Sequence, residues 1–122
     1  MSVNEANYTE HLKDRFRKAG WLVHKTSERF VSGWPDLLII KKGTSVFIEV
    51  KVKSNSLSAL QKKTLVDLAK AGVLALVMRQ LEDKKEILYR VLSNGEFLNL
   101  TDKLQVHNIT AVQDHIKGAK GV

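Results

Sequence analysis

Residues 46–53 read Val-Phe-Ile-Glu-Val-Lys-Val-Lys, the clearest two-residue alternation in the chain. In an extended strand, Val46, Ile48, Val50 and Val52 fall on one face, and Phe47, Glu49, Lys51 and Lys53 on the other. The first face is wholly Val and Ile and needs a covered core. The second carries charge in mid-strand, which is costly to bury unless paired or bound to a metal. Glu49 and Lys51 leave the backbone side by side. A solvated sheet face would hold the same two charges with no chemistry at all, and spacing alone leaves the two readings even.

Upstream, Pro35 cannot occupy a central strand, so Asp36 stands at the entry of a strand over Leu37–Lys41. Lys41-Lys42-Gly43-Thr44 reads as the hairpin turn that leads back into 46–53. The hairpin places Asp36 where it could come within a metal's reach of Glu49. Two neighbouring carboxylates are the hard oxygen donors that Mg²⁺ prefers, and they leave positions for water and a phosphate oxygen. A lysine beside them can hold an attacking water and offset the charge of a phosphorane-like transition state.

The remaining elements follow outward from this hairpin. Tyr8, Leu12, Phe16 and Ala19 recur at helical spacing over residues 4–19, with Gly20 as the stop. A short strand over Trp21–His24 and a polar loop over Lys25–Gly33 come next. After Ser54-Asn55-Ser56, a helix over Ala59–Ala71 is expected, with Ser58 as N-cap, Gly72 as stop, and an apolar face of Leu57, Leu60, Leu68 and Ala71 that also carries Gln61. Val73–Met78 is apolar throughout, as befits a strand buried on both faces. Ile87–Leu92 and Phe97–Leu100 form a hairpin around Ser93-Asn94-Gly95, and a last short helix is expected over Thr110–Lys117. The order α-β-β-β-α-β-β-β-α indicates an α/β fold, a mixed sheet flanked by helices.

The chain has 122 residues, room for one ordinary core, and nothing in it reads as a linker or repeat. Its formal charge of +7 favours a polyanionic partner such as nucleic acid. With no cysteine, disulfides, thiol catalysis and thiolate metal sites are excluded. No apolar run is long enough to span a bilayer and the N-terminus lacks a signal-peptide stretch, so a soluble cytoplasmic protein is expected, with no membrane partner.

Three segments taken together, GWPDLLII (33–40), VFIEVKV (46–52) and LSALQKKTLVDLAKAG (57–72), resemble the VRR-NUC branch of the PD-(D/E)XK nuclease superfamily. The matching pieces are Gly33-Trp34-Pro35-Asp36, Glu49-Val50-Lys51 and Ser58-Ala59-Leu60-Gln61, and the likeness covers about residues 4–80. It implies a restriction-endonuclease-like core, Mg²⁺ or Mn²⁺ dependence and phosphodiester hydrolysis. Archaeal Holliday junction resolvases share the arrangement, which makes branched DNA the expected substrate. On this resemblance Asp36, Glu49, Lys51 and Gln61 are catalytic candidates, and Glu5, Asp36, Glu49 and Val50 are metal candidates.

Some of these residues have a second reading. The family carries a glutamate on its first helix, for which Glu5 and Glu10 compete. At 100° per residue Glu5 lies on the Tyr8–Leu12–Phe16 face, and Glu10 is turned about 140° away. Ser2-x-x-Glu5 also fits a capping box, as does Ser58-x-x-Gln61. Lys53, Lys62, Lys63, Arg15, Lys18 and His24 are candidate DNA contacts, each equally readable as a solvated or structural residue. Trp34 reads as packing behind the Pro-Asp turn. A homodimer is expected, because two copies would supply the recognition surface that so short a chain lacks. The competing function is a catalytically silent, basic DNA-binding or partner-binding module of the same fold, and an enzyme acting on RNA fits the motif as well.

Overall fold

The computed structural model describes residues 4–26 and 33–101. Helix α1 (Glu5–Lys18) starts at Asn4, whose side chain accepts the Asn7 N–H at 2.8 Å. That bond satisfies one of the amides every helix start leaves unpaired, so the N-cap is Asn4; the Ser2 of the expected capping box lies outside the described residues. Helix α2 (Ala59–Lys70) has the expected capping box: Ser58 Oγ accepts the Gln61 N–H and Gln61 Oε1 accepts the Ser58 N–H.

Both helices close in the same way. Gly20, at φ +92°, donates to Arg17 O and Trp21 donates to Phe16 O; Gly72, at φ +89°, donates to Ala69 O and Val73 to Leu68 O. This is the Schellman arrangement, with glycine in the left-handed conformation. It corrects two expected strand starts. Trp21 and Val73 spend their N–H groups on the preceding helix, so β1 is Leu22–Lys25, and the strand after α2 starts at Leu74.

The other strands are β2 (Leu37–Lys41), β3 (Thr44–Val52), β4 (Leu74–Gln80), β5 (Glu86–Val91) and β6 (Phe97–Asn99). They form one sheet in the order β1-β2-β3-β4-β5-β6. Every neighbouring pair is antiparallel except β3 with β4, which is parallel and joined by the α2 crossover that such a pair requires. The sheet is therefore mixed and the fold α/β. β3 ends at Val52, and Lys53 turns out of the strand at φ +56°, so it does not continue the Glu49–Lys51 face. The expected helix over Thr110–Lys117 lies outside the described residues.

The two faces of β3 separate two cores. Val46, Ile48, Val50 and Val52 pack with Tyr8, Leu12 and Phe16 of α1 and with Leu37, Ile39, Leu76, Met78 and Leu88. On the opposite face Leu65 and Leu68 of α2 pack with Ala75, Val77 and Val91, and Phe47 joins them. β4 contributes to both cores, as its unbroken apolar run requires. The buried stripe of α2 runs through Gln61, Leu65 and Leu68, at i, i+4 and i+7, whereas Leu60 is 48% exposed and Ala71 is exposed. Of the expected face, Leu57, Gln61 and Leu68 turn inward, while Leu60 and Ala71 do not.

Candidate active site

The Gly33–Asp36 turn is fixed from three sides. The Thr26 hydroxyl donates to Pro35 O and the Thr26 N–H to Asp36 O at 2.8 Å, which ties the turn to the end of β1. Gly33 has φ +84°, and a Cβ there would stand 2.5 Å from Leu60 Cγ, so only glycine lets α2 approach so closely. Trp34 meets the Phe47 ring edge-on, with centroids 5.6 Å apart, and is a packing residue of the turn.

The β2–β3 ladder reaches only as far as Leu37 opposite Ile48. Beyond it, Asp36 Oδ2 accepts the Val50 N–H at 2.8 Å, a side chain standing in for the missing strand. In a pleated strand the carbonyl of a residue leaves by the same edge as its N–H. Val50 therefore presents its carbonyl oxygen toward Asp36, the only ligand a valine could offer.

Glu49 is 2% exposed and Lys51 9%. Glu49 Oε2 accepts from Gln61 Nε2 at 3.3 Å and stands 3.9 Å from Lys51 Nζ. Glu49 Oε1 is buried with no hydrogen-bond partner among the described residues. Burial first, and the Asp36 charge second, push the Glu49 carboxyl up to about 9, against the opposing pull of Lys51. Gln61 does two jobs that the sequence left as alternatives. Its Oε1 closes the capping box while its Nε2 holds Glu49.

Glu5 and Glu10 separate clearly. Burial, then Asp36, raise the Glu5 carboxyl above its ordinary range, with Lys51 acting in the opposite direction, so Glu5 lies within electrostatic reach of the cluster. Glu10 is exposed and ion-paired with Lys13 at 2.9 Å, which holds its carboxyl below the ordinary range. The structure thus brings Asp36, Glu49, Val50, Lys51 and Gln61 together at one end of β3, with Glu5 within electrostatic reach of them.

The six basic DNA candidates distribute differently. Lys62 and Lys63 are exposed near the start of α2, and Lys63 pairs with Asp67 at 2.8 Å. Lys53 stands 3.7 Å from Glu82. His24 is exposed on β1, opposite Leu38, which itself lies opposite Phe47, so it shares the sheet face of Glu49. Lys18 sits at the far end of α1, about 20 Å along the helix from Glu5. Arg15 is bound to Glu86, with Nη1 at 2.9 and 3.0 Å from its two oxygens, so the structure turns that guanidinium to an intramolecular partner. One cation escaped the sequence reading. Arg79 stands directly opposite Lys51 in the parallel register, and its Nη1 donates to Lys53 O and Asn55 O at 2.9 and 2.7 Å. The only hint in the sequence is that it interrupts the apolar run ending at Met78.

The donor set suits a hard divalent cation: two carboxylates, one with an orphaned buried oxygen, and a convergent main-chain carbonyl. Among the described residues no group of three or more His, Asp or Glu side chains converges to hold a metal. An ion here would rest on Asp36, Glu49 and the Val50 carbonyl, with water completing its shell and Glu5 close by.

The VRR-NUC domain family matches residues 4–80 of the chain. Among solved structures, the chain is similar to Archaeoglobus fulgidus Hjc, a Holliday junction resolvase from an archaeal hyperthermophile. That likeness has a TM-score of 0.56 and 28% identity, covering 70% of this chain and 74% of the other. A solved VRR_NUC domain is similar with a TM-score of 0.56 and 30% identity, over 65% of this chain and 86% of that one. No curated protein matches.

Proposed function

Because the chain belongs to the VRR-NUC domain family, we propose that it is a Mg²⁺- or Mn²⁺-dependent DNA endonuclease that hydrolyses phosphodiester bonds in branched DNA, such as Holliday junctions or flaps. The observation that carries this reading is Glu49: a nearly inaccessible carboxylate with one oxygen unpartnered among the described residues, crowded against Asp36. A folded chain rarely leaves such a group without a ligand to complete it.

The chain's own residues divide the work. Asp36 and Glu49 carry the negative charge that binds the cation, and Gln61 fixes the Glu49 rotamer. The Asp36–Val50 bond fixes the other carboxylate. The Lys51 ammonium lies beside Glu49, where it can orient the attacking water and offset charge on the phosphoryl oxygens as the bond to the leaving oxygen breaks. A bound Mg²⁺ or Mn²⁺ supplies Lewis-acid polarisation of the scissile phosphate. Lys62, Lys63 and His24 are the basic groups placed to meet flanking phosphates, in keeping with the formal charge of +7.

Branched DNA is the favoured substrate because the solved structure that this chain resembles is that of a Holliday junction resolvase. We read residues 1–122 as one nuclease domain acting inside the cell as a homodimer, each copy cutting one strand. Among the described residues no helix is long and apolar enough to cross a membrane. The test is incubation with four-way junction, flap, nicked, linear duplex and single-stranded DNA, with and without Mg²⁺ or Mn²⁺. Metal-dependent cutting of the branched substrates is expected; no cutting of any substrate with either metal would refute the reading in favour of a silent binding module.

A further inference from the structure

Glu86 opens β5 opposite Gln80, and its side chain is 6% exposed. Three hydrogen bonds close on it. The Tyr8 hydroxyl donates to Oε2 at 2.6 Å, and Arg15 Nη1 donates to Oε2 at 2.9 Å and Oε1 at 3.0 Å. Both donors belong to α1, seven residues apart, which is about 10 Å along the axis. Two points of a rod fixed to one residue of the sheet set both its height and its rotation. Apolar packing of Leu12 and Phe16 alone lacks that directionality, whereas charge-assisted hydrogen bonds select one geometry.

What this grip holds in place is the first turn of α1. Tyr8 follows Glu5 by one turn and shares its face. Within that turn Thr9 Oγ1 donates to Glu5 O at 2.7 Å, and Asn4 caps the start, so the turn moves as a unit. Among the described residues nothing hydrogen-bonds the Glu5 carboxylate, so the helix alone decides where it stands. On the sheet side, Gln80 opposite Glu86 accepts the Lys53 N–H at 2.7 Å, two residues beyond Lys51. The anchor thus joins the turn bearing Glu5 to the same end of the sheet as Lys51.

We propose that Glu86, acting through Tyr8 and Arg15, is a positioning residue that holds Glu5 in place to assist the Asp36–Glu49 pair in binding a divalent cation. This rests on the metal-site reading given above. Glu86 touches neither metal nor substrate, and its contribution is the placement of α1.

The experiment is a double-mutant cycle on Mn²⁺ affinity, measured by titration calorimetry on the whole chain without DNA. Glu5→Gln, Glu86→Gln and the double variant are compared with wild type, and Tyr8→Phe, which removes one hydroxyl and keeps the ring, serves where Glu86→Gln does not fold. Outer-shell changes commonly weaken metal binding at least tenfold, so the dissociation constant for Mn²⁺ should rise about tenfold in Glu86→Gln. Glu5→Gln should give a similar rise, and the double variant should add little to either. Tyr8→Phe should weaken binding in the same direction. A merely structural Glu86 would lower the melting temperature and leave Mn²⁺ affinity unchanged, which overturns the proposal, as would additive losses in the double variant. Wild-type binding that is indifferent to Glu5→Gln overturns it while leaving the Asp36–Glu49 site standing. A wild type that binds no Mn²⁺ overturns both.

Discussion

Glu49 and Glu86 are buried carboxylates near the same end of one sheet, separated along β4 by the two residues between their partners Val77 and Gln80. Their surroundings differ sharply. Glu86 receives a hydroxyl and a guanidinium from α1, and both its oxygens are bonded. Glu49 receives one long bond from Gln61, has an ammonium at 3.9 Å, and among the described residues keeps one oxygen without a partner beside another carboxylate. A buried anion that its own chain satisfies holds the fold together. One left unsatisfied is a cost that the fold bears.

The largest effect expected of this contrast is kinetic. Lys51→Ala should lower cleavage by about 10³-fold, because it removes a fixed charge from the transition state, while the fold and DNA binding persist. Gel-resolved cleavage rates and a thermal melt on the same preparation check it. A variant that cuts at the wild-type rate would break the assignment of chemistry to the Glu49 side.

Stability should show the opposite ranking. Glu86→Ala removes the acceptor that Arg15 Nη1 shares with the Tyr8 hydroxyl and should cost about 3 kcal/mol, reduced from a fully buried pair because Arg15 is partly exposed. Asp36→Asn or Glu49→Gln in metal-free protein should cost little or stabilise by about 1 kcal/mol, since the first removes the charge that opposes ionisation of Glu49 and the second removes the need to keep that buried carboxyl protonated. Urea denaturation in the presence of a chelator measures all three, and equal losses at Glu86 and Glu49 would erase the distinction.

Metal should reverse the order at the Glu49 site alone. Mg²⁺ or Mn²⁺ at a hundred times its dissociation constant should stabilise the wild type by about 2.7 kcal/mol, and Asp36→Asn should lose most of that gain. The readout is the melting temperature of the two proteins with and without metal. Equal shifts would place the ion somewhere other than between Asp36 and Glu49.

The remaining effect is a pH dependence. The Glu49 carboxyl is raised in the folded state from an ordinary 4.5 to about 9, so the fold binds a proton that the unfolded chain releases. That contribution to stability is complete below about pH 4.5 and is lost as pH climbs toward 9. Metal-free wild type should therefore lose stability across this window, and Glu49→Gln should flatten the loss. Chemical denaturation at pH 5, 7 and 9 tests it, and an unchanged slope in Glu49→Gln would show that another group is responsible.

Much of this arrangement was legible before any coordinates. The alternation of 46–52, the Gly33–Asp36 turn, the hairpin at Lys41–Thr44 and the two glycine stops are local patterns, and the period of the backbone turns each into geometry. That Glu49 and Lys51 share a face follows from their being two apart on a strand, whatever surrounds them. The boundaries that were misplaced, at Trp21 and Val73, fell where a helix closure and a strand competed for one N–H. On α2 only Leu60 and Ala71 depart from the expected face, because the sheet meets the helix along Gln61, Leu65 and Leu68.

Which charged groups meet was a matter for the tertiary structure. Nothing local could give Arg15 to Glu86 across 71 residues, set Arg79 beside Lys51, or send Lys53 toward Glu82. The choice between Glu5 and Glu10 was half legible, since helical phase gave the face, but the position of α1 on the sheet decided which acid came near Asp36. Likewise Gln61 could be read as a cap or a site residue, and only the seating of α2 over β3 lets one side chain be both. The physical reason is the same throughout. Geometry within an element is fixed by covalent period, whereas contacts between elements depend on register and packing that the whole sequence sets together.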